Sequence, residues 1–266
     1  MNEELRGRIA LVTGAGQGVG RGIARRLARE GARVVIAEIN PDTGAAVATE
    51  CAALGGEGWF VATDILQPES IEAALAATCA RYGGIDILVN NAYAAGGPQR
   101  LQAKPEADFR LAMDGCFFAA LRTMRAAFVP MRAAGRGRII NLCTLNGVNA
   151  HPYSADYNTA KEALRALTRS AAREWAGYGI TVNAICPAAV TPAYEHFRFA
   201  APELAAKMLE QNPSGYMGDA EEDIGGVAAF LASDAARYLT GNTLMADGGS
   251  HLNGVQWAPP VAPDDS

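Results

Sequence analysis

Histidine is scarce: His151, His196 and His251 are the only three in 266 residues, and no ligand spacing relates them. That excludes a histidine-built structural metal site. Cysteine is sparse too. Cys51, Cys79, Cys116, Cys143 and Cys186 are odd in number and form no C-x-x-C pair. They read as reduced thiols of a cytoplasmic protein rather than a disulfide framework. No run of 18 apolar residues occurs, so no membrane span is expected. The segment Met1-Asn2-Glu3-Glu4-Leu5-Arg6 lacks the apolar core of a signal peptide. Charged residues make up 19% and the net charge is −5, which argues against nucleic acid or an anionic membrane as partner. What is abundant is apolar: half of the chain, enough to bury one full core.

The apolar residues are arranged in short continuous runs at 9–12, 34–37, 59–62, 85–89, 138–142, 181–185 and 243–246. Amphipathic stretches at 23–30, 43–54, 68–82, 109–134, 155–176 and 220–232 separate them. Short buried strands alternating with helices predict an α/β fold, a single doubly wound parallel sheet with helices on both faces. Residues 1–254 are expected to form that domain, and 255–266 a tail rich in Pro and Asp.

A glycine-rich loop, Thr13-Gly14-Ala15-Gly16-Gln17-Gly18-Val19-Gly20, follows the first strand and opens the first helix. Glycines there let the backbone approach a pyrophosphate, and the helix N-terminus supplies donors. Glu38 closes the second strand, 18 residues after Gly20. A carboxylate in that place accepts from ribose hydroxyls and repels a 2′-phosphate, so NAD is favoured over NADP. Arg21 is the cation beside the loop that could serve a phosphate instead.

Further on, Tyr157 and Lys161 stand at i and i+4, on one helical face. A neighbouring ammonium favours the phenolate, which predicts a lowered Tyr157 pKa and a working general acid/base. Y-x-x-x-K alone is a weak motif. Here it occurs with Thr144 placed 13 residues earlier, Asn90-Asn91-Ala92 between loop and tyrosine, and Asp247-Gly248-Gly249 beyond.

That ordered set resembles the short-chain dehydrogenase/reductase family from Leu5 to about Leu252, through TGAGQGVG, NNA, YNTAK, VNAICP and ADGG. The resemblance implies a Rossmann-like domain, a nicotinamide cofactor and oxidoreductase chemistry at CH–OH groups. It implies a catalytic set of Thr144 (where the family has serine), Tyr157 and Lys161. It also implies a cofactor site built from Gly14, Gln17, Gly18, Val19, Gly20, Glu38, Asp64, Ile65, Asn90, Ala92, Tyr157, Lys161, Pro187, Val190 and Thr191. A fourth family position, an asparagine, falls at Cys116, with Asp114 as the alternative. Two family glycines are replaced, by Tyr93 and Ala188. Asp156 reads as a solvated or capping group, and Cys143 as a packed thiol.

Tyr93, Leu145, Asn146, Tyr153, Tyr194 and His151 are candidates for the substrate pocket. The segment 193–217, with Tyr194, His196, Phe197, Phe199, Met208 and Tyr216, is a candidate lid. So many aromatics suit a hydrophobic or cyclic secondary alcohol or its ketone. Small residues in the two long helices (Ala119, Ala120, Ala126, Ala127; Ala160, Ala163, Ala171, Ala172) suit close helix packing, within or between subunits. The resemblance adds a homodimer or homotetramer. Three alternatives stay open: an NADPH-dependent ketone or 3-oxoacyl-thioester reductase, a non-catalytic nucleotide-binding regulator, and non-redox chemistry on the same fold.

Overall fold

The computed structural model describes residues 4–252. The 255–266 tail lies outside them. Seven parallel strands form one sheet in the order β3-β2-β1-β4-β5-β6-β7. They are β1 (Ile9–Thr13), β2 (Arg33–Glu38), β3 (Glu57–Ala62), β4 (Ile87–Asn90), β5 (Gly137–Leu142), β6 (Ile180–Pro187) and β7 (Thr243–Ala246). The strand order reverses between β1 and β4. A crevice opens there, at the carboxyl ends of the strands.

Each face of the sheet packs its own helical layer. Along β1, side chains alternate between faces: Val12 joins the cluster that includes Ile23, Leu27 and Val47, whereas Leu11 joins Ile71, Leu75, Met124 and Met131. The first cluster lies under α1 (Gly18–Arg29), α2 (Pro41–Ala53) and α10 (Gly225–Ala232). The second lies under α3 (Pro68–Tyr82), α5 (Ala119–Ala134) and α7 (Ala155–Trp175). Each such side chain, fully removed from water, contributes about 1.5–3 kcal/mol.

Local sequence sets the helix starts. Asn40 caps α2 by accepting from the Asp42 and Thr43 N–H groups, with Pro41 next in line. The first helix begins inside the glycine loop, five residues before the apolar pattern does. The long helix expected over 109–134 is composite: α4 (Glu106–Ala112), a π-helical turn (Met113–Phe118), then α5. Short α6 (Leu145–Val148) and the paired α8 (Pro192–Ala200) and α9 (Pro202–Glu210) complete the helices beside the carboxyl ends of β5 and β6.

A buried polar chain ties α5 and α7 through the sheet. Thr123 donates to Asn90 Oδ1 at 2.6 Å, Asn90 Nδ2 to Asn141 Oδ1 at 2.8 Å, and Asn141 Nδ2 to Thr168 at 2.8 Å. Among the alanines expected at close helix contacts, Ala119, Ala120, Ala127, Ala160, Ala171 and Ala172 are buried within this chain. No helix among the described residues is long and apolar enough to cross a membrane.

Candidate active site

The crevice is an open cleft of about 440 Å³ running from the end of β2 to the start of α8. The glycine loop forms its floor. Gly14 has φ +62, and a Cβ there would sit 2.8 Å from Ala92 Cα. At Gly20 a Cβ would lie 2.3 Å from the Gly14 carbonyl oxygen, so this glycine serves close packing of α1 beneath the loop rather than the cleft wall. Asn91 holds the loop from the other side, its Nδ2 donating to the Thr13 and Gly14 carbonyls at 3.0 and 2.9 Å. Gln17 precedes α1 in extended conformation and offers no side-chain cap, and no acidic residue stands in the first turn. The first N–H groups of α1 are therefore free to meet an anion, as a pyrophosphate site requires.

Glu38 lines the far end together with Asp64 and Ile65. Its carboxylate accepts from the Gly16 N–H at 2.9 Å and from the Ile39 and Asn40 N–H groups at 3.0 and 3.2 Å. Arg21 turns away and donates twice to Glu50, at 2.9 and 3.0 Å. No arginine lines the cleft among the described residues, and its one lysine is Lys161, at the opposite end.

At that opposite end lie Tyr157 and Lys161. The Lys161 side chain is buried, and its Nζ donates to the Leu142 carbonyl at 2.6 Å. It lies 5.7 Å from the Tyr157 ring centre and 5.8 Å from that of Tyr93. The two tyrosine rings are tilted against each other with centres 5.4 Å apart. Thr144 ends the loop after β5 and caps α6 by accepting from the Asn146 N–H at 3.2 Å.

Burial pushes the Tyr157 phenol above its ordinary value, against the pull of the Lys161 ammonium and the Thr144 hydroxyl. The sequence argument, which considered the ammonium alone, expected the opposite sign. Burial also opposes the Lys161 charge. Favourable interaction with Tyr157, Cys116 and Cys143 outweighs it and holds Lys161 above its ordinary value.

Other expected residues fall in different places. Gly14, Gln17, Gly18, Val19, Ala92, Tyr93, Pro187 and Thr191 line the cleft, while Gly20, Asn90, Thr144, Leu145, Asn146, Val190, Tyr153 and Tyr194 do not. Asn90 is spent in the buried polar chain. Tyr153 adopts φ +67 and stays exposed, and Val190 is also exposed. Of the lid segment only Ala193 reaches the cleft, beside Pro192, and Phe199 is 89% exposed. Cys116 sits in the π-helical turn with its thiol directed to the Ala94 carbonyl at 3.7 Å. Burial raises its pKa, and that of Cys143 to about 12, so neither is a ready nucleophile. Asp156 is neither solvated nor a surface cap: it is buried and paired with Lys104. Asn91, Thr63 and Leu66 line the cleft without having been singled out from sequence. The doubled Asn90-Asn91 was the available signal for the first of them.

The family model described as enoyl-(acyl carrier protein) reductase matches residues 14–251. The chain belongs to the short-chain dehydrogenase/reductase family. It is an oxidoreductase acting on CH–OH groups. It is 36% identical over 248 residues to the 3-oxoacyl-(acyl-carrier-protein) reductase FabG of Vibrio cholerae, covering 93% of this chain and 99% of the relative. It is 35% identical over 256 residues to 3beta-hydroxysteroid dehydrogenase 1 of Eggerthella lenta, covering 95% and 97%. Among solved structures, 7 alpha-hydroxysteroid dehydrogenase complexed with NADH and 7-oxo glycochenodeoxycholic acid superposes with a TM-score of 0.88 at 34% identity, covering 93% of this chain and 96% of that one. In this member of the short-chain dehydrogenase/reductase family, Tyr157 and Lys161 stand one helical turn apart on α7, Thr144 caps α6 and Cys116 lies in the π-helical turn. Among the described residues no group of three or more His, Cys, Asp or Glu could hold a metal ion.

Proposed function

We propose that the enzyme catalyses NAD-dependent, reversible hydride transfer between a hydrophobic or cyclic secondary alcohol and its ketone. The observation that carries this reading is one cleft with two unlike ends: a carboxylate and no arginine at one, a phenol and a buried ammonium at the other. Glu38 suits the adenosine ribose of NAD, and Arg21 is engaged elsewhere. The open N-terminus of α1 would hold the pyrophosphate, and Lys161 the nicotinamide ribose. Bound there, the nicotinamide supplies the hydride acceptor or donor.

The chain's own residues move the proton. In oxidation the Tyr157 oxygen accepts the alcohol proton, and in reduction it returns one. Thr144, oriented by the Asn146 N–H, presents its hydroxyl to the same oxygen. Lys161 has one N–H committed to Leu142 and two others left for hydroxyl partners. Tyr93, 58% exposed at the cleft, offers an aromatic wall to a flat apolar substrate. The two hydroxysteroid dehydrogenases support a cyclic alcohol. Five unpaired thiols agree with a cytoplasmic setting. Family membership supports a homodimer or homotetramer, which light scattering would test: a monomer contradicts it.

A panel of cyclic and acyclic alcohols and ketones, titrated with both nicotinamide cofactors, tests the substrate and cofactor reading. Preference for NAD and for cyclic alcohols is expected. Tighter NADPH binding with turnover of 3-oxoacyl thioesters would favour the second reading, which the likeness to FabG supports.

A further inference from the structure

One buried ion pair beside the phenol is unused by the chemistry above. Asp156, the second residue of α7 and the neighbour of Tyr157, faces Lys104 across 2.9 Å, and neither side chain is exposed. The other Asp156 oxygen accepts from the Gly96 N–H at 2.9 Å. Lys104 donates to the Gly97 carbonyl at 2.5 Å and lies 3.6 Å from Asp108. Two further ties join the same segments. The Gln99 N–H donates to the Tyr153 carbonyl at 2.9 Å, and the Arg100 guanidinium lies 5.7 Å from the Tyr153 ring centre.

The loop being held, 91–100, carries Tyr93, whose ring packs on Tyr157. Stability is a weak reason for a wholly desolvated pair, because apolar side chains of similar size often do as well. Its geometry suggests a better one. We propose that Lys104 and Asp156 are positioning residues: their pairing locks the loop after β4 onto the first turn of α7 and so fixes the Tyr157 phenol opposite Tyr93. This rests on the reading of Tyr157 as proton carrier.

Asp156→Ala removes the side-chain acceptor of the Gly96 N–H while leaving Lys104 the Gly97 carbonyl and Asp108. Because a misplacement of about 1 Å can cost a hundredfold in rate, kcat is expected to fall at least about tenfold. The dissociation constant for NADH, read by its fluorescence, is expected to stay within about twofold of the parent, since the far end of the cleft is untouched. Asp156→Asn keeps an acceptor for the Gly96 N–H and is expected to recover most of kcat. The Lys104→Met/Asp156→Leu double variant removes both desolvated charges, leaves only the partly exposed Asp108 without its cation, and carries the same expectation as Asp156→Ala should that variant not fold. Parental kcat in the folded alanine or double variant would overturn the proposal. So would an equal loss in Asp156→Asn, which would make charge rather than geometry the cause. Tyr157→Phe is measured in parallel. If it turns over at the parental rate, the proton-carrier reading itself fails; if it is inactive while the pair variants are normal, only the positioning role fails.

Discussion

The Tyr157 phenol carries two opposed influences, and burial wins in the cofactor-free protein. Its pKa lies above the ordinary phenol value near 10, so at neutral pH the group is protonated. In that state it is an acid ready for reduction and must lose its proton before it can serve oxidation. Oxidation kcat/KM, which reports the free enzyme, is therefore expected to climb through pH 8–9 without a plateau below about 10, while reduction falls only above that range. An oxidation profile that levels off near neutrality would show that Lys161 outweighs burial. Glu38 allows a second prediction at this scale. Glu38→Ser removes the carboxylate and should narrow the NAD-over-NADP preference at least about tenfold, roughly 1.4 kcal/mol. Loss of its bond to the Gly16 N–H should also cost about 1 kcal/mol of stability. An unchanged cofactor ratio would remove Glu38 from the selecting role. Both residues line the cleft, whereas the sign of the Tyr157 shift is opposite to the one expected from spacing. Spacing along a helix shows which groups are neighbours; it does not show how much water the fold removes.

Among the elements, most strands were legible as short apolar runs, and the helices as the longer stretches between them, bounded by caps such as Asn40-Pro41 and by glycines such as Gly83. Where reading failed, the deciding contact was distant in sequence. The first helix starts at Gly18, before any apolar period, because the loop's backbone is shaped by Asn91 across the sheet. Asn90 pairs with Asn141, 51 residues away, and so belongs to the core. Asp156 looked like a surface group because Lys104, its partner, gives no helical spacing to it. Helix α8, in the segment expected to form a lid, carries Tyr194, Phe197 and Phe199, yet directs Phe199 outward. Close packing of α1 under the loop makes its own prediction. Gly20→Ala would drive a methyl to 2.3 Å from the Gly14 carbonyl oxygen. Overpacking of that kind costs about 1–3 kcal/mol. A lower denaturation midpoint, with loss of NADH binding as the loop shifts, is expected. A variant with unchanged midpoint and affinity would show that α1 can move away freely.

At the scale of the whole molecule, the sheet makes the site by bringing the ends of β1, β2, β4 and β5 to one crevice. Residues from Gly14 to Ala193 meet there, brought together by the strand order and by α7 packed beside the sheet. Fold and family were legible because several short motifs recur in one order; none of them would have sufficed singly. Substrate identity was not, since the cleft wall beside Tyr157 comes from Tyr93 and Ala94 in the loop after β4, whose sequence carries no period. The central claim is that this cleft oxidises a secondary alcohol with Tyr157 as the proton carrier. Its most direct test is nicotinamide absorbance after mixing NAD with a cyclic secondary alcohol, for the parent and Tyr157→Phe side by side. The account predicts reduced cofactor forming in the parent and a rate lower by about 10²–10⁴-fold in the variant. Equal rates in both, or product formed with no change in absorbance, would contradict it.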